Sequence, residues 1–80
     1  MFYSYILKSL KDGKYYYGST EDLDLRLAKH NKGDVRSTKG RRPLVLNYFE
    51  AFEARGEAFR REHFYKSIEG YIYLKQNNII

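Results

Sequence analysis

The chain has 80 residues and a formal net charge of +5; 42% of its residues are hydrophobic, 18% are aromatic, and none is cysteine. A chain of this length is one domain that buries only about 60% of its unfolded surface, so its core must be dense. Disulfide frameworks and cysteine-rich zinc sites are excluded, as is disorder, given the apolar fraction. Nine tyrosines and five phenylalanines supply the bulk that such a small core needs. The opening Met1-Phe2-Tyr3-Ser4-Tyr5 has no basic segment, long apolar stretch or cleavage site, so it does not read as a signal peptide. No apolar run approaches the ~20 residues that span a bilayer, and a cytoplasmic protein is expected. The surplus of positive charge points to a polyanion such as nucleic acid, or to no specific partner.

Phe2 to Leu10 reads as a strand, with Tyr3, Tyr5 and Leu7 on one face. Asp12-Gly13 is a strong hairpin signal. Tyr15-Tyr16-Tyr17 follows as an antiparallel second strand ended by Gly18, with Tyr16 on the face opposite Tyr15 and Tyr17. Ser19 or Thr20 is expected to cap a helix whose first turn carries Glu21 and Asp22. That helix runs to about Asn31, with Leu23 and Leu27 facing inward and Gly33 as its stop. Asp34 to Arg42 is a loop rich in Arg and Lys, closed by Pro43. Leu44 to Phe52 is the third strand, with Leu44, Leu46, Tyr48 and Phe52 assigned to one face. A second helix is expected from about Ala54 to Lys66, and a short terminal one from Ile68 to Asn78. The order β-β-α-β-α(-α) implies an α/β (α+β) fold in which helices flank a three-stranded antiparallel sheet.

Three groups of residues carry possible chemistry. Tyr5 and Tyr16 lie on strands joined by one tight turn, close enough to position or relay a proton if their environment lowers a pKa; taken alone, the pair reads first as ordinary core rings. Asp22, Arg26 and His30 follow one another at i, i+4 and share a helix face bordering the leucine stripe. Arg26 suits a phosphate, and His30 suits donation to a phosphate or proton transfer; the plain alternative is a solvated face with a helix ion pair. Glu62 falls between Ala58 and Tyr65 on the inward side of the second helix. A carboxylate there needs a cation, either a metal such as Mg²⁺ or a structural pairing with Arg26 or Arg61.

Together these positions resemble the GIY-YIG endonuclease superfamily. The first motif corresponds to Tyr3-Ser4-Tyr5 followed by Ile6-Leu7, and the second to Tyr16-Tyr17-Gly18; Arg26, His30 and Glu62 follow in order. The chain is most similar to small stand-alone members related to the catalytic N-terminal domain of the bacterial excision-repair nuclease. The shared features are Lys29-His30-Asn31-Lys32-Gly33, Arg41-Arg42-Pro43, Glu57-Ala58, Arg61-Glu62 and Lys66-Ser67. The first motif departs from the family at Tyr3 and Ser4, and Ser19 stands where repair-type members carry lysine.

The resemblance implies hydrolysis of a DNA phosphodiester with one Mg²⁺ or Mn²⁺. It makes Tyr5 the general base or the group that orients water, and Tyr16 the residue that tunes that phenol. Arg26 would neutralise the scissile phosphate, His30 would assist at the phosphate or with the proton, and Glu62 would hold the metal. Gly18 would admit a phosphate close to the backbone. With Ser19 in place of lysine, the cation that tunes Tyr5 is expected to be Lys14 or Lys29. Gly18, Ser19, Lys29, Arg36, Lys39, Arg41 and Arg42 form the expected nucleic-acid surface, contacting mostly phosphates. The expected protein is a single-domain endonuclease of low sequence specificity, monomeric or weakly dimeric. It would nick, or cut single-stranded or branched DNA, with RNA possible and DNA repair among its roles. The alternative is a non-catalytic nucleic-acid-binding module on the same scaffold.

Overall fold

Alternating apolar side chains draw three strands into one antiparallel sheet in the computed structural model, which describes residues 1–80. Its order is β2-β1-β3, with β1 (Phe2–Ser9) in the centre, β2 (Tyr15–Thr20) on one edge and β3 (Leu44–Phe52) on the other. Helix α1 (Leu23–Lys32) packs on one face, and α2 (Arg55–Tyr65) and α3 (Ile68–Gln76) on the other. The fold is the expected three-stranded α+β arrangement. No helix is long and apolar enough to cross a membrane.

The hairpin turns at Asp12-Gly13, where Ser9 Oγ accepts from the backbone N–H groups of Lys11 and Asp12, both at 3.1 Å. Its register sets Tyr5 opposite Gly18 and Leu7 opposite Tyr16. Tyr5 and Tyr16 are therefore diagonal neighbours, with ring centroids 6.4 Å apart. The even–odd alternation of β1 divides the core. Tyr5, Leu7 and Leu44 pack with Tyr16, Leu23 and Leu27 beneath α1. Ile6 packs with Tyr65, Leu74, Tyr15, Tyr17 and Tyr48 beneath α2 and α3.

Three expectations are corrected. β2 does not end at Gly18: Ser19 and Thr20 pair with Ser4 and Tyr3, so neither caps α1. The cap is Asp22, whose Oδ1 accepts from Leu25 N at 3.0 Å. The helix still ends where expected, at Gly33. In β3, strict alternation fails. Ile6 pairs with Tyr48 but Leu7 pairs with Leu46, so Asn47 is an extra residue, a β-bulge. Tyr48 and Phe52 thus turn to the α2 side, while Leu44 and Leu46 stay on the α1 side. The expected Asp34–Arg42 loop is anchored to the fold: it buries Val35 and Thr38 and winds a 3-10 turn over Lys39–Arg41.

Candidate active site

The site is built where the central strand β1 pairs with the edge strand β2. Tyr5 is 2% exposed, and its phenol lies across Gly18, where a Cβ would overlap the Tyr5 hydroxyl. The missing side chain at Gly18 is therefore accounted for by Tyr5, not by an approaching phosphate. Two successive turns of α1 then bring Arg26 and His30 onto the phenol. Arg26 Nε donates to Tyr5 Oη at 3.4 Å, and His30 Nε2 lies 3.1 Å from the same oxygen. The Tyr16 ring stands edge-on to His30 at a centroid distance of 4.9 Å. Four of the predicted site residues thus form one cluster, as their helical and strand spacing suggested.

The electrostatics differ from expectation in two ways. Burial raises the Tyr5 pKa above its ordinary value, and the hydrogen bond and charge of Arg26 only partly oppose it. Tyr5 is a protonated phenol at rest, and the cation beside it is Arg26 rather than Lys14 or Lys29. The same bond to Tyr5 holds the Arg26 pKa above its usual value. Burial, together with the charge of Arg26, pushes the His30 pKa down to about 4. His30 is fully buried, with Nε2 on Tyr5 and Nδ1 on Thr38 Oγ1 at 2.7 Å. Both ring nitrogens are engaged, so His30 does not reach a phosphate from this position; of its two expected roles, holding or moving the Tyr5 proton fits the geometry.

Glu62 approaches from the opposite face of the sheet, beside Ser19. Its Oε1 accepts from Ser19 Oγ at 2.9 Å and its Oε2 pairs with Lys66 Nζ at 2.7 Å. The side chain is 13% exposed, and its negative charge is among the influences raising the Tyr5 pKa. The anticipated structural partners are elsewhere: Arg26 is on Tyr5, and Arg61 donates to Glu50 Oε1 at 2.8 Å and stacks on Phe64. No group of three or more His, Cys, Asp or Glu side chains surrounds Glu62 or any other point. One carboxylate with a half-exposed lysine on its second oxygen cannot enclose an ion, but it suits a hard cation that keeps water and takes substrate oxygens as its remaining ligands.

The basic residues separate into two groups. Lys29, Arg36 and Lys39 are exposed and pair with no acid. Arg42 anchors its Nε on Lys39 O at 2.8 Å and, with Lys11, Asn31 and Lys39, lines an open groove of about 460 Å³. Arg41, by contrast, pairs with Asp12 at 3.1 Å and donates to Tyr15 O at 3.3 Å, so its charge binds the loop to the hairpin. Sequence reasoning missed Lys11, which the hairpin folds back onto Gly40 O at 3.1 Å. It also missed Thr38, for which no spacing rule gives a signal.

The three-stranded sheet with its flanking helices is a fold that the sequence comparisons assign to a family of nuclease domains. The chain belongs to the GIY-YIG catalytic domain family, which it matches over residues 1–77. Among its relatives is a UPF0213 protein of Halobacterium salinarum, 41% identical over 69 residues that cover 85% of this chain and 88% of the relative. A UPF0213 protein of Staphylococcus saprophyticus is 45% identical over 62 residues, 76% of this chain and 74% of the relative. The solution NMR structure of the UPF0213 protein BH0048 from Bacillus halodurans superposes with a TM-score of 0.54 at 39% identity, covering 95% of this chain and 84% of that one.

Proposed function

We propose that the protein is a metal-dependent endonuclease that hydrolyses DNA phosphodiester bonds one strand at a time, with little sequence preference. The observation that carries this reading is the Tyr5 hydroxyl, held between Arg26 and His30 beside the edge strand whose Ser19 binds Glu62. In this mechanism Arg26 keeps Nε on Tyr5 and turns its remaining guanidinium N–H groups to the scissile phosphate, opposing the charge that develops there. Tyr5 donates its proton toward His30 Nε2, which leaves an oxygen lone pair to receive a proton from the attacking water. As the water's oxygen closes on phosphorus, its proton passes to Tyr5 while the phenol proton passes to His30. The sum is a hydroxide joined to phosphorus, the P–O bond to the leaving oxygen broken, and an imidazolium at His30; the leaving alkoxide takes its proton from solvent water. Binding of an anionic phosphate at Arg26 offsets the repulsion that this imidazolium would otherwise meet.

Glu62 would hold Mg²⁺ or Mn²⁺, with Ser19 fixing the carboxylate and the exposed Lys66 swinging aside. When bound, the metal supplies positive charge to the leaving oxygen and acidifies coordinated water. Lys29, Arg36, Lys39 and Arg42 would hold the flanking phosphates and position the strand without reading its bases. One site per chain favours nicking, or cutting of single-stranded or branched DNA.

The test is incubation of supercoiled plasmid and single-stranded oligonucleotides with wild type and Glu62→Gln, in Mg²⁺ or Mn²⁺ and in chelator. Cleavage by wild type alone, and only with metal, is expected. Salt-sensitive binding that ignores metal and never leads to cleavage would instead make the chain a binding module.

A further inference from the structure

Thr38 is fully buried in a loop that is otherwise mostly exposed, and its hydroxyl meets the far side of the His30 ring. A hydroxyl has a single proton to donate. Thr38 Oγ1 has two neighbours, His30 Nδ1 at 2.7 Å and the Val35 carbonyl at 3.4 Å. The carbonyl can only accept, so a Thr38 proton directed there obliges Nδ1 to carry its own proton and donate to Thr38. Nε2 is then the unprotonated nitrogen and accepts from Tyr5.

The opposite tautomer fails on the Tyr5 side. A protonated Nε2 would donate to a phenol oxygen that already accepts from Arg26 Nε. The Tyr5 proton would then lack a partner on a residue that is 2% exposed, and an unsatisfied buried donor is costly. Only the tautomer with the proton on Nδ1 gives every donor in this chain a partner: Arg26 to Tyr5, Tyr5 to His30, His30 to Thr38, and Thr38 to Val35.

We propose that Thr38 is a positioning residue of the hydrolytic site, whose hydroxyl locks His30 in the tautomer that accepts the Tyr5 proton. This rests on the endonuclease reading for its catalytic consequence, but not for the tautomer itself. An orienting third group behind a proton acceptor is the general logic of coupled catalytic side chains; the nearest analogue, loss of the contact that orients a metal-bound histidine, costs about 10- to 100-fold in activity. Thr38 also opens the 3-10 turn that carries Lys39 and leads into Arg42, so the same hydroxyl fastens the basic loop to the catalytic cluster.

The experiment pairs Thr38→Val, which keeps the shape and loses the hydroxyl, with Thr38→Ser, which keeps the hydroxyl. Imidazole ¹⁵N shifts of the resting protein at pH 7 report the tautomer without substrate or metal. In wild type and Thr38→Ser, the proton should sit on Nδ1, whereas Thr38→Val should give a mixture. Cleavage of a single-stranded oligonucleotide should fall about 10- to 100-fold in kcat for Thr38→Val at unchanged KM, with Thr38→Ser close to wild type. An Nε2 proton in wild type, or equal shifts in the two variants, would overturn the proposal. If wild type cleaves nothing, the endonuclease reading fails, and the ¹⁵N shifts alone decide the role of Thr38. If Thr38→Val does not fold, the shifts of wild type and Thr38→Ser decide it.

Discussion

Holding the His30 imidazole at a pKa of about 4 against an ordinary 6.5 ties folding stability to pH. Between these two values the unfolded chain binds a proton that the folded chain refuses. Stability linked to His30 is therefore complete above pH 6.5 and declines as pH falls toward 4. At 1.36 kcal/mol per pKa unit, the decline is about 3 kcal/mol, a large part of the stability of a domain this size. The cause is structural: a protonated ring would be buried beside Arg26, and its Nε2 could no longer accept from Tyr5. Urea unfolding of wild type and His30→Gln at several pH values from 7.5 to 4 measures the difference. Carboxylates titrate alike in both proteins, so subtracting the curves isolates His30. The free-energy gap between wild type and variant should narrow by about 3 kcal/mol across this range. Parallel curves would refute the buried, neutral imidazole and with it the proton path from Tyr5.

Gly18→Ala should leave the sheet register intact yet displace the Tyr5 phenol, because the new methyl group occupies the position of its hydroxyl; a loss of at least about 100-fold in cleavage, with unchanged far-ultraviolet circular dichroism, is expected. Tyr65→Phe should cost about 1–3 kcal/mol in urea unfolding, since the Tyr65 hydroxyl bridges buried Ser4 at 2.8 Å and Glu50 at 2.5 Å. Removing Lys39 or Arg42 should each lower the salt dependence of oligonucleotide binding by about one unit of slope. Arg41→Ala should leave that slope nearly unchanged and lower the melting temperature, because Arg41 spends its charge on Asp12.

What could be read in the sequence depended on the range of the interaction. The hairpin at Asp12-Gly13, the stop at Gly33 and the inward stripe Ala58-Glu62-Tyr65 are local patterns, and the structure has them. The i, i+4 spacing of Arg26 and His30 put both on one helix face, and that face does meet Tyr5. The bulge at Asn47 was invisible because β3 takes its register from β1, a strand far away in sequence; no residue of β3 alone announces it. Thr38 was missed for the same reason: its partner is set by how the loop folds over α1, not by spacing. Arg41 looked like a free cation until the hairpin brought Asp12 beside it. The Lys66 partner of Glu62 lies at i+4 and was legible by helix geometry, but the expected partner was Arg26 or Arg61 instead.

The most direct test of the account is the Tyr5 hydroxyl itself. Tyr5→Phe keeps the buried ring and removes one oxygen, so the fold should persist. Single-turnover cleavage of an end-labelled single-stranded oligonucleotide in Mg²⁺, with chelator as control, then isolates the chemical step. Metal-dependent cleavage by wild type is expected, with a rate at least about 100-fold lower for a folded, DNA-binding Tyr5→Phe. A variant that cuts as fast as wild type would contradict it.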